Sequence, residues 1–257
     1  MPKVAIVGAL QREVSGLTKN WSRIEREYGG RSFVFFECAE MVVVCGGIGP
    51  ESARRAAEAV IALYRPALVQ SVGFAGGLDA SLRAGDVVTP GVVIDARDGS
   101  HVEIDGGRGK GTLVTFMAVA GADQKANLAQ AYGAQIVDME AAAVAAAARA
   151  HGIGFGATKV ISDELSFEVP GMDRFIDANG GFRTAAFAVF AGLRPWLWRR
   201  VARLAGNSRK AERALNKHLE RFRQELSQAS EGIDASPTAS PTPQAAATSG
   251  LRSGDRE

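Results

Sequence analysis

The 257-residue sequence has few histidines and few cysteines. Its three histidines, His101, His151 and His218, are too scattered to indicate a metal cluster, so we expect neither a metal site nor a cofactor. The two cysteines, Cys38 and Cys45, lie in a predicted strand pair. A disulfide between these strands is one interpretation, and two buried reduced thiols are the favoured one.

The sequence also lacks long apolar runs and a large excess of charge. No run of about eighteen apolar residues is present, so we expect no transmembrane helix. The N-terminal apolar run, residues 4–7, is too short for a signal peptide, so we expect a cytoplasmic protein. Charged residues make up 23% of the chain and nearly cancel to a formal net charge of +2, which argues against a dedicated nucleic-acid binder.

Strand-like and helix-like segments alternate along the first two thirds of the chain. The predicted strands are residues 4–7, 31–37, 41–45, 67–72, 113–119 and 158–161. Helical periodicity follows Pro50, and the alanine-rich run 141–150 is a strong helix former. This alternation is typical of a layered α/β sheet with helices on its faces.

The character of the sequence changes after about residue 165. We expect residues 174–190 to be helical, and residues 195–226 to form a basic amphipathic helical extension of a domain that spans residues 1–194. Residues 227–257 are rich in Ser, Thr, Pro and Ala and have almost no large apolar side chains. They are predicted to form a disordered tail.

The predicted basic helix carries Trp196 and Trp198 among several arginines. A basic amphipathic helix of this kind can lie on an anionic membrane surface. Packing against the domain or against a second subunit is the favoured interpretation.

Three glycine-bearing segments follow predicted strands, at Gly8, at residues 46–49 and at residues 73–77. Glycines at strand ends let backbone amides approach a ligand, and ligands bind at such ends in open α/β sheets. The segments match neither the dinucleotide-binding fingerprint nor the phosphate-binding P-loop. A tight turn explains each segment singly, whereas three in succession favour a ligand pocket.

Acidic residues stand beside these segments. Glu13 lies in the first turn of the first predicted helix, Asp138 and Glu140 lie at the start of the alanine-rich helix, and Asp163 ends a predicted strand. Helix capping and the helix dipole explain each of them singly. Together they place several carboxylates at one edge of the sheet.

The order of these motifs resembles that of the nucleoside phosphorylase and nucleosidase superfamily, most closely the 5′-methylthioadenosine/S-adenosylhomocysteine nucleosidases. The resemblance covers roughly residues 3–165. It rests on VAIVGALQREV at 4–14, GGIG at 46–49, GFAGGL at 73–78 with GD at 85–86, VDMEA at 137–141 and ISD at 161–163. It implies a three-layer α/β fold with a mixed central sheet flanked by helices, followed here by C-terminal helices.

The resemblance also implies hydrolysis of the N-glycosidic bond of a purine nucleoside, with release of adenine. Breaking this bond builds positive charge on the sugar and negative charge on the purine, which requires an acid, a base and a stabilising anion. The resemblance assigns Asp163 as the acid at purine N7, Glu13 as the base that orients water, and Glu140 as the ligand of the ribose hydroxyls. The other residues that it places at the substrate are Ala9, Ile48, Phe74, Ala75, Gly76, Asp138, Met139 and Ser162.

The sequence departs from the superfamily pattern in three respects. Phe74 stands where the family usually has Ser, Asp138 replaces the Glu of some nucleosidases, and residues 78–137 form a shorter segment than in the well-known enzymes. The alternatives are a nucleoside phosphorylase, including the hopanoid-associated type, and a catalytically silent nucleoside-binding protein. The resemblance also implies that the protein forms a homodimer and that its ligand is a small purine nucleoside.

Overall fold

The computed structural model describes residues 3–104 and 109–234. The strands are β1 (Val4–Gly8), β2 (Ser22–Tyr28), β3 (Arg31–Glu37), β4 (Met41–Cys45), β5 (Leu68–Gly77), β6 (Val87–Val88), β7 (Val92–Asp95), β8 (His101–Glu103), β9 (Thr112–Thr115), β10 (Ile136–Asp138) and β11 (Gly154–Asp163). The α-helices are α1 (Gln11–Thr18), α2 (Pro50–Tyr64), α3 (Ala122–Tyr132), α4 (Ala141–Ala150), α5 (Thr184–Gly192) and α6 (Trp198–Asp234). Two short 3-10 helices lie at Met172–Phe175 and Pro195–Leu197.

The strands form one mixed sheet in the order β2-β3-β4-β1-β5-β10-β9-β7-β8, and β11 pairs with both β5 and β6. β1 is parallel to β4 and β5, and β11 is parallel to β5. The carboxyl ends of these four strands therefore lie at one edge of the sheet. β10 pairs antiparallel with β5 at the same end of that strand. In sheets of this kind, ligands bind at the carboxyl ends of the strands.

Helices cover both faces of the sheet because successive strand residues point to opposite sides. Ala5 and Val7 of β1 belong to a core that includes α2 and α4. Val4 and Ile6 of the same strand belong to a second core that includes α1 and α6. The predicted class, a three-layer α/β fold with a mixed central sheet, is confirmed. Among the helices described, none has both the length and the apolar character needed to cross a membrane.

Helix α6 is part of the domain core rather than an extension of it. Ala211, Leu215 and Leu219 are fully buried in a core shared with β1, β4, β11 and α1, and α6 packs chiefly on β11 and α1. An apolar stripe at this spacing on a helix has to be covered, and here the sheet covers it. The expected separation of residues 195–226 from a domain of residues 1–194 therefore differs from the structure.

The end of α6 also differs from the expectation. The helix continues to Asp234, beyond the predicted boundary between residues 226 and 227. The first proline after the start of the helix is Pro237, so no proline interrupts this extra length. The rest of the predicted tail, residues 235–257, lies outside the described residues.

Two other local features differ from the sequence predictions, and one further prediction is confirmed. Strand β2 was not predicted, since it is an edge strand whose mostly exposed, charged residues hide the usual alternation. Residues 73–77 are the end of strand β5 and not a turn, because β11 and β10 pair with them. The predicted hairpin of residues 31–37 and 41–45 is confirmed as β3 and β4, and Cys38 and Cys45 are free thiols.

The predicted helix over residues 174–190 is interrupted by a turn. The carboxylate of Asp177 accepts hydrogen bonds from the backbone of Asn179 and Gly181, and Gly180 has a φ of 77°. Residues other than glycine rarely adopt this left-handed backbone conformation, which a right-handed helix cannot contain, so the helix is interrupted here. The turn packs on the segment after β4, where the Ile48 N–H donates to the Gly180 carbonyl over 2.7 Å.

Candidate active site

The carboxyl ends of β1, β5 and β11 and the start of α4 border a cavity of about 530 Å³. This size is typical of small-molecule sites. Ten of the eleven site residues expected from the sequence line the cavity, and only Ser162 does not. The ten are Ala9, Glu13, Ile48, Phe74, Ala75, Gly76, Asp138, Met139, Glu140 and Asp163.

Glu13 is held by backbone N–H groups from two elements. Its Oε2 accepts from Ala9 over 3.1 Å and from Leu10 over 3.0 Å, and its Oε1 accepts from Phe74 of β5 over 3.4 Å. Burial raises the pKa of Glu13 above its ordinary value, although these amides and the charge of Lys159 partly oppose the rise. A carboxylate with a raised pKa is suited to accept a proton near neutral pH.

Glu140 stands at the start of α4 and faces the same cavity. Its Oε1 accepts from the Gly49 N–H over 2.9 Å, and its Oε2 accepts from the Met139 N–H over 3.2 Å. Enclosure by the protein, together with the negative charge of Asp138, raises the pKa of Glu140 to about 7, and the charge of Lys159 partly opposes this. A binding cation would therefore favour the ionised form of Glu140.

Asp138 borders the cavity, but its carboxylate is fully engaged by the protein. The Thr115 hydroxyl donates to Oδ1 over 2.7 Å, and the Ala141 N–H donates to Oδ2 over 2.9 Å. Lys159 Nζ lies 2.7 Å from Oδ2 and also donates to the Ser71 hydroxyl over 3.0 Å. Asp138 thus fixes the start of α4 and compensates a buried cation. The direct substrate contact expected of Asp138 from the sequence stays a prediction.

Asp163 ends β11, and two side chains hold its two oxygens. The Ser162 hydroxyl donates to Oδ1 over 2.6 Å, and Lys125 Nζ donates to Oδ2 over 2.5 Å. Lys125 also donates to the carbonyls of Glu164 and Phe167, which follow in the chain. Ser162 therefore orients Asp163. It does not line the cavity, although the sequence placed it at the substrate.

Helix capping does not explain Asp163. Residues 164–171 are all described, and no helix begins among them; the next element is the 3-10 helix Met172–Phe175. The Asp163 side chain remains 25% exposed, although both of its oxygens have protein partners. Since Asp163 lines the cavity, it is accessible to a bound ligand.

Two glycines of β5 allow Glu13 and Asp163 to lie directly against this strand. Gly73 has a φ of +148°, and a Cβ at this position would be 3.2 Å from Glu13 Oε2. A Cβ at Gly76 would be 3.0 Å from Asp163 Oδ2. Any larger residue would displace one of these carboxylates, so the glycines serve close approach rather than a turn.

Neither of the two buried lysines, Lys125 and Lys159, was predicted as a site residue from the sequence. Lys159 interrupts an apolar strand, and a lysine is rarely buried without a partner, so its position was a usable signal. Although burial alone would lower the pKa of Lys159, the charges of Asp138 and Glu140 raise it. Lys125 lies three residues before Leu128, so both point to the buried face of α3. Its partner, Asp163, is distant in sequence, so no local pattern indicated the pair.

C-terminal elements supply another part of the cavity wall that the sequence analysis did not assign. The apolar members are Met172, Ile176, Phe182, Phe187, Val201, Leu204 and Ala205. Two arginines, Arg12 and Arg209, also line the cavity. No local motif marks these residues, because tertiary packing brings them to the strand ends.

The model of the phosphorylase superfamily matches residues 3–111 and 111–191 of this chain. The 5′-methylthioadenosine/S-adenosylhomocysteine nucleosidase of Bacillus licheniformis is 33% identical over 89 residues, which are 34% of this chain and 38% of that protein. The nucleosidase of the same name from Halalkalibacterium halodurans is 36% identical over 90 residues, 34% of this chain and 39% of that protein. The chain thus spans about two fifths of the length of the curated relatives that it matches.

Solved structures share the fold over a larger part of the chain. A 5′-methylthioadenosine/S-adenosylhomocysteine nucleosidase of Helicobacter pylori superimposes with a TM-score of 0.65 and 17% identity, covering 87% of this chain and 98% of that chain. The futalosine hydrolase of the same organism gives a TM-score of 0.61 and 17% identity, covering 86% and 98%. At this level of identity the likeness shows the fold alone.

Proposed function

Because this chain belongs to the phosphorylase superfamily, we propose that it hydrolyses the N-glycosidic bond of a purine nucleoside such as methylthioadenosine or S-adenosylhomocysteine, releasing adenine. The observation that carries the proposal is the convergence of Glu13, Glu140 and Asp163 on one cavity. These side chains come from three separate segments. They supply the base, the anion and the acid that this reaction needs.

In the proposed reaction, Glu140 holds the ribose hydroxyls, and its negative charge stabilises the cation that forms on the sugar. Glu13 accepts a proton from the attacking water as the water oxygen bonds to C1′. The bond between C1′ and N9 breaks, and its electron pair passes to the purine. In the reactive form Asp163 carries a proton, which it donates to N7, so that adenine leaves as a neutral molecule; the carboxylate that remains pairs with the Lys125 ammonium.

Ser162 and Lys125 are positioning residues in this scheme. Each donates a hydrogen bond to a different oxygen of Asp163, which fixes the plane of the carboxyl group. Lys125 also binds the carbonyls of Glu164 and Phe167, so the segment after β11 is held together with the acid. Such support fixes the orientation from which a proton is transferred.

Water is favoured as the nucleophile by the charges at the proposed sugar site. Glu13 and Glu140 both line the cavity, and a phosphate dianion bound between them would meet like charges. Phe74 lines the cavity where phosphorylases of the family have a serine hydroxyl that helps to hold phosphate. The Glu13 carboxylate is suited instead to hold a water molecule.

A second candidate is phosphorolysis, favoured by the presence of Arg12 and Arg209 in the cavity wall. The guanidinium of Arg12 lies over the Phe74 ring at 5.5 Å from its centroid. Arginines are well suited to bind phosphate oxygens. In this candidate, the phosphate oxygen replaces water in the bond to C1′.

The two candidates differ in their sugar product. The full-length protein would be incubated with methylthioadenosine with and without phosphate, and the products identified by mass spectrometry. Hydrolysis gives free methylthioribose at a rate that does not depend on phosphate. A sugar 1-phosphate that forms only with phosphate would favour the second candidate. Binding without any turnover of adenine nucleosides would contradict both candidates and indicate a silent binding protein.

A further inference from the structure

The corner formed by α5, the 3-10 helix Pro195–Leu197 and the start of α6 exposes large apolar side chains. Val189, Leu193, Trp196 and Trp198 are 65%, 73%, 72% and 56% exposed. They are four of the six exposed large hydrophobic side chains in the described ranges. We call residues 189–200 the α5–α6 corner. Clustering of this kind marks an interaction surface, whereas single exposed apolar residues do not.

Helix α5 has an unusual composition for a surface helix. Its sequence, TAAFAVFAG, contains no charged residue, and only Phe187 and Ala191 are buried. A helix that is apolar all round is normally enclosed by protein or lipid. The outer face of α5 is therefore apolar but exposed, which is unusual for a helix of this composition.

The charge around this corner identifies the kind of surface that fits it. Residues 178–211 contain seven arginines and lysines and no aspartate or glutamate. Because the whole chain has a net charge of only +2, the remainder of the sequence is net negative. Arg199 and Arg200 are exposed next to Trp198, and Arg200 also lies 3.7 Å from a carboxylate oxygen of Glu168, a weak surface pair that a lipid phosphate can replace. Tryptophan with arginine is the combination that lies at the boundary of an anionic bilayer.

A second copy of this chain is a poorer occupant of the corner. A symmetric dimer interface brings the same patch of both subunits together, so the arginines of the two corners would repel each other. The later part of α6 is already buried in its own domain through Leu215 and Leu219.

We propose that the α5–α6 corner binds the surface of an anionic lipid bilayer. Leu193 and Trp196 enter the headgroup region, and Arg199 and Arg200 contact lipid phosphates. This contact does not depend on the proposed reaction. Phe187 of α5 lines the cavity. Binding of the corner to a bilayer would therefore hold the candidate active site close to the lipid surface.

The test measures binding of the full-length protein to vesicles by co-sedimentation. One set of vesicles contains phosphatidylcholine alone, and the other contains phosphatidylcholine mixed with phosphatidylglycerol. We expect binding to the mixed vesicles only, weakened by added salt. The variants Leu193→Ser/Trp196→Ser and Arg199→Glu/Arg200→Glu should each lower the affinity by about tenfold or more.

Arg221→Glu is the matched control, because Arg221 is exposed on the same helix but outside the corner. It should leave vesicle binding almost unchanged. The substituted side chains are exposed, so thermal melting should show folded variants. Equal binding to both vesicle types, no binding, or unchanged binding of the corner variants would overturn the proposal. A wild-type dimer that the corner variants convert to monomers would overturn it in favour of a second copy.

Discussion

The ammonium of Lys159 lies 2.7 Å from a carboxylate oxygen of Asp138, and neither side chain is open to solvent. Thr115 and Ala141 donate further hydrogen bonds to this carboxylate, which ties β11 to β9 and to the start of α4. The positive charge of Lys159 partly opposes the rise in the pKa values of Glu13 and Glu140. Within this pair, Lys159 favours the ionised forms of Glu13 and Glu140, whereas Asp138 opposes ionisation of Glu140.

Removing this cation should strongly destabilise the fold. Lys159→Met leaves the Asp138 carboxylate buried without its ionic partner, so the free energy of unfolding should fall by about 3–5 kcal/mol. Urea denaturation measures this change. Arg54→Met is the control, since Arg54 and Glu51 form an exposed pair whose loss should cost less than about 1 kcal/mol. Similar losses in both variants would contradict a strong buried pair.

Glu140 should make stability depend on pH. Burial and Asp138 raise its pKa in the folded state to about 7, from 4.5. The folded state therefore binds this proton more tightly than the unfolded chain does. Its stabilising effect is fully present below pH 4.5 and is lost as the pH rises through about 7.

Glu140→Gln tests this dependence because the amide stays neutral at every pH. Relative to the wild type, the variant should gain free energy of unfolding between about pH 5 and pH 8, by roughly 2–3 kcal/mol. Denaturant unfolding of both proteins at the two pH values gives the difference. A difference that stays constant with pH would show that Glu140 does not titrate in this range.

Gly73→Ala should disturb the Glu13 carboxylate. The new Cβ would lie 3.2 Å from Glu13 Oε2, and the φ of +148° is strained for alanine. We expect a loss of stability of about 1–3 kcal/mol together with a loss of turnover. Gly152→Ala is the control, because its φ of +64° is also positive but no atom lies within 4 Å of the new Cβ. Equal turnover of the two variants would contradict a crowding effect on Glu13.

The predictable parts of the site are those that a local motif specifies. Glu13 follows the turn after β1, and Asp163 ends an apolar strand, so short segments and their family resemblance identified both. The partner of Lys159 lies 21 residues earlier, at Asp138, and no local pattern joins them. Pairing across strands decides such contacts, and it also turned the glycines at 73–77 into the end of a strand.

The C-terminal part shows the same limit. The apolar stripe of α6 was visible in the sequence, but its partner was not, and the structure places Leu215 in the domain core. The stripe alone fits a second subunit, a membrane or the domain equally well. The surface that covers it is formed by strands of the sheet, among them β1, β4 and β11, together with helix α1, and β1, β4 and α1 are far away in sequence.

Asp163→Asn tests the proposed acid. Asparagine keeps the size of the side chain and can accept the hydrogen bond from Ser162, but it cannot protonate N7. Turnover of methylthioadenosine should fall by about 10²–10⁴-fold, the usual contribution of general acid catalysis. Binding of a non-cleavable analogue should change far less, since the lost interaction belongs to the transition state.

Lys125 makes this experiment more demanding, because Asp163→Asn also removes the carboxylate that faces a buried ammonium. A loss of stability would then accompany the loss of turnover. The double variant Asp163→Asn/Lys125→Met removes both charges, so it should recover part of the stability but none of the turnover. Ser162→Ala removes only an orienting hydrogen bond and should lower turnover less than Asp163→Asn. Undiminished turnover in a folded Asp163→Asn variant would rule out Asp163 as the acid. Helix capping would not replace that role, because no helix begins within residues 164–171.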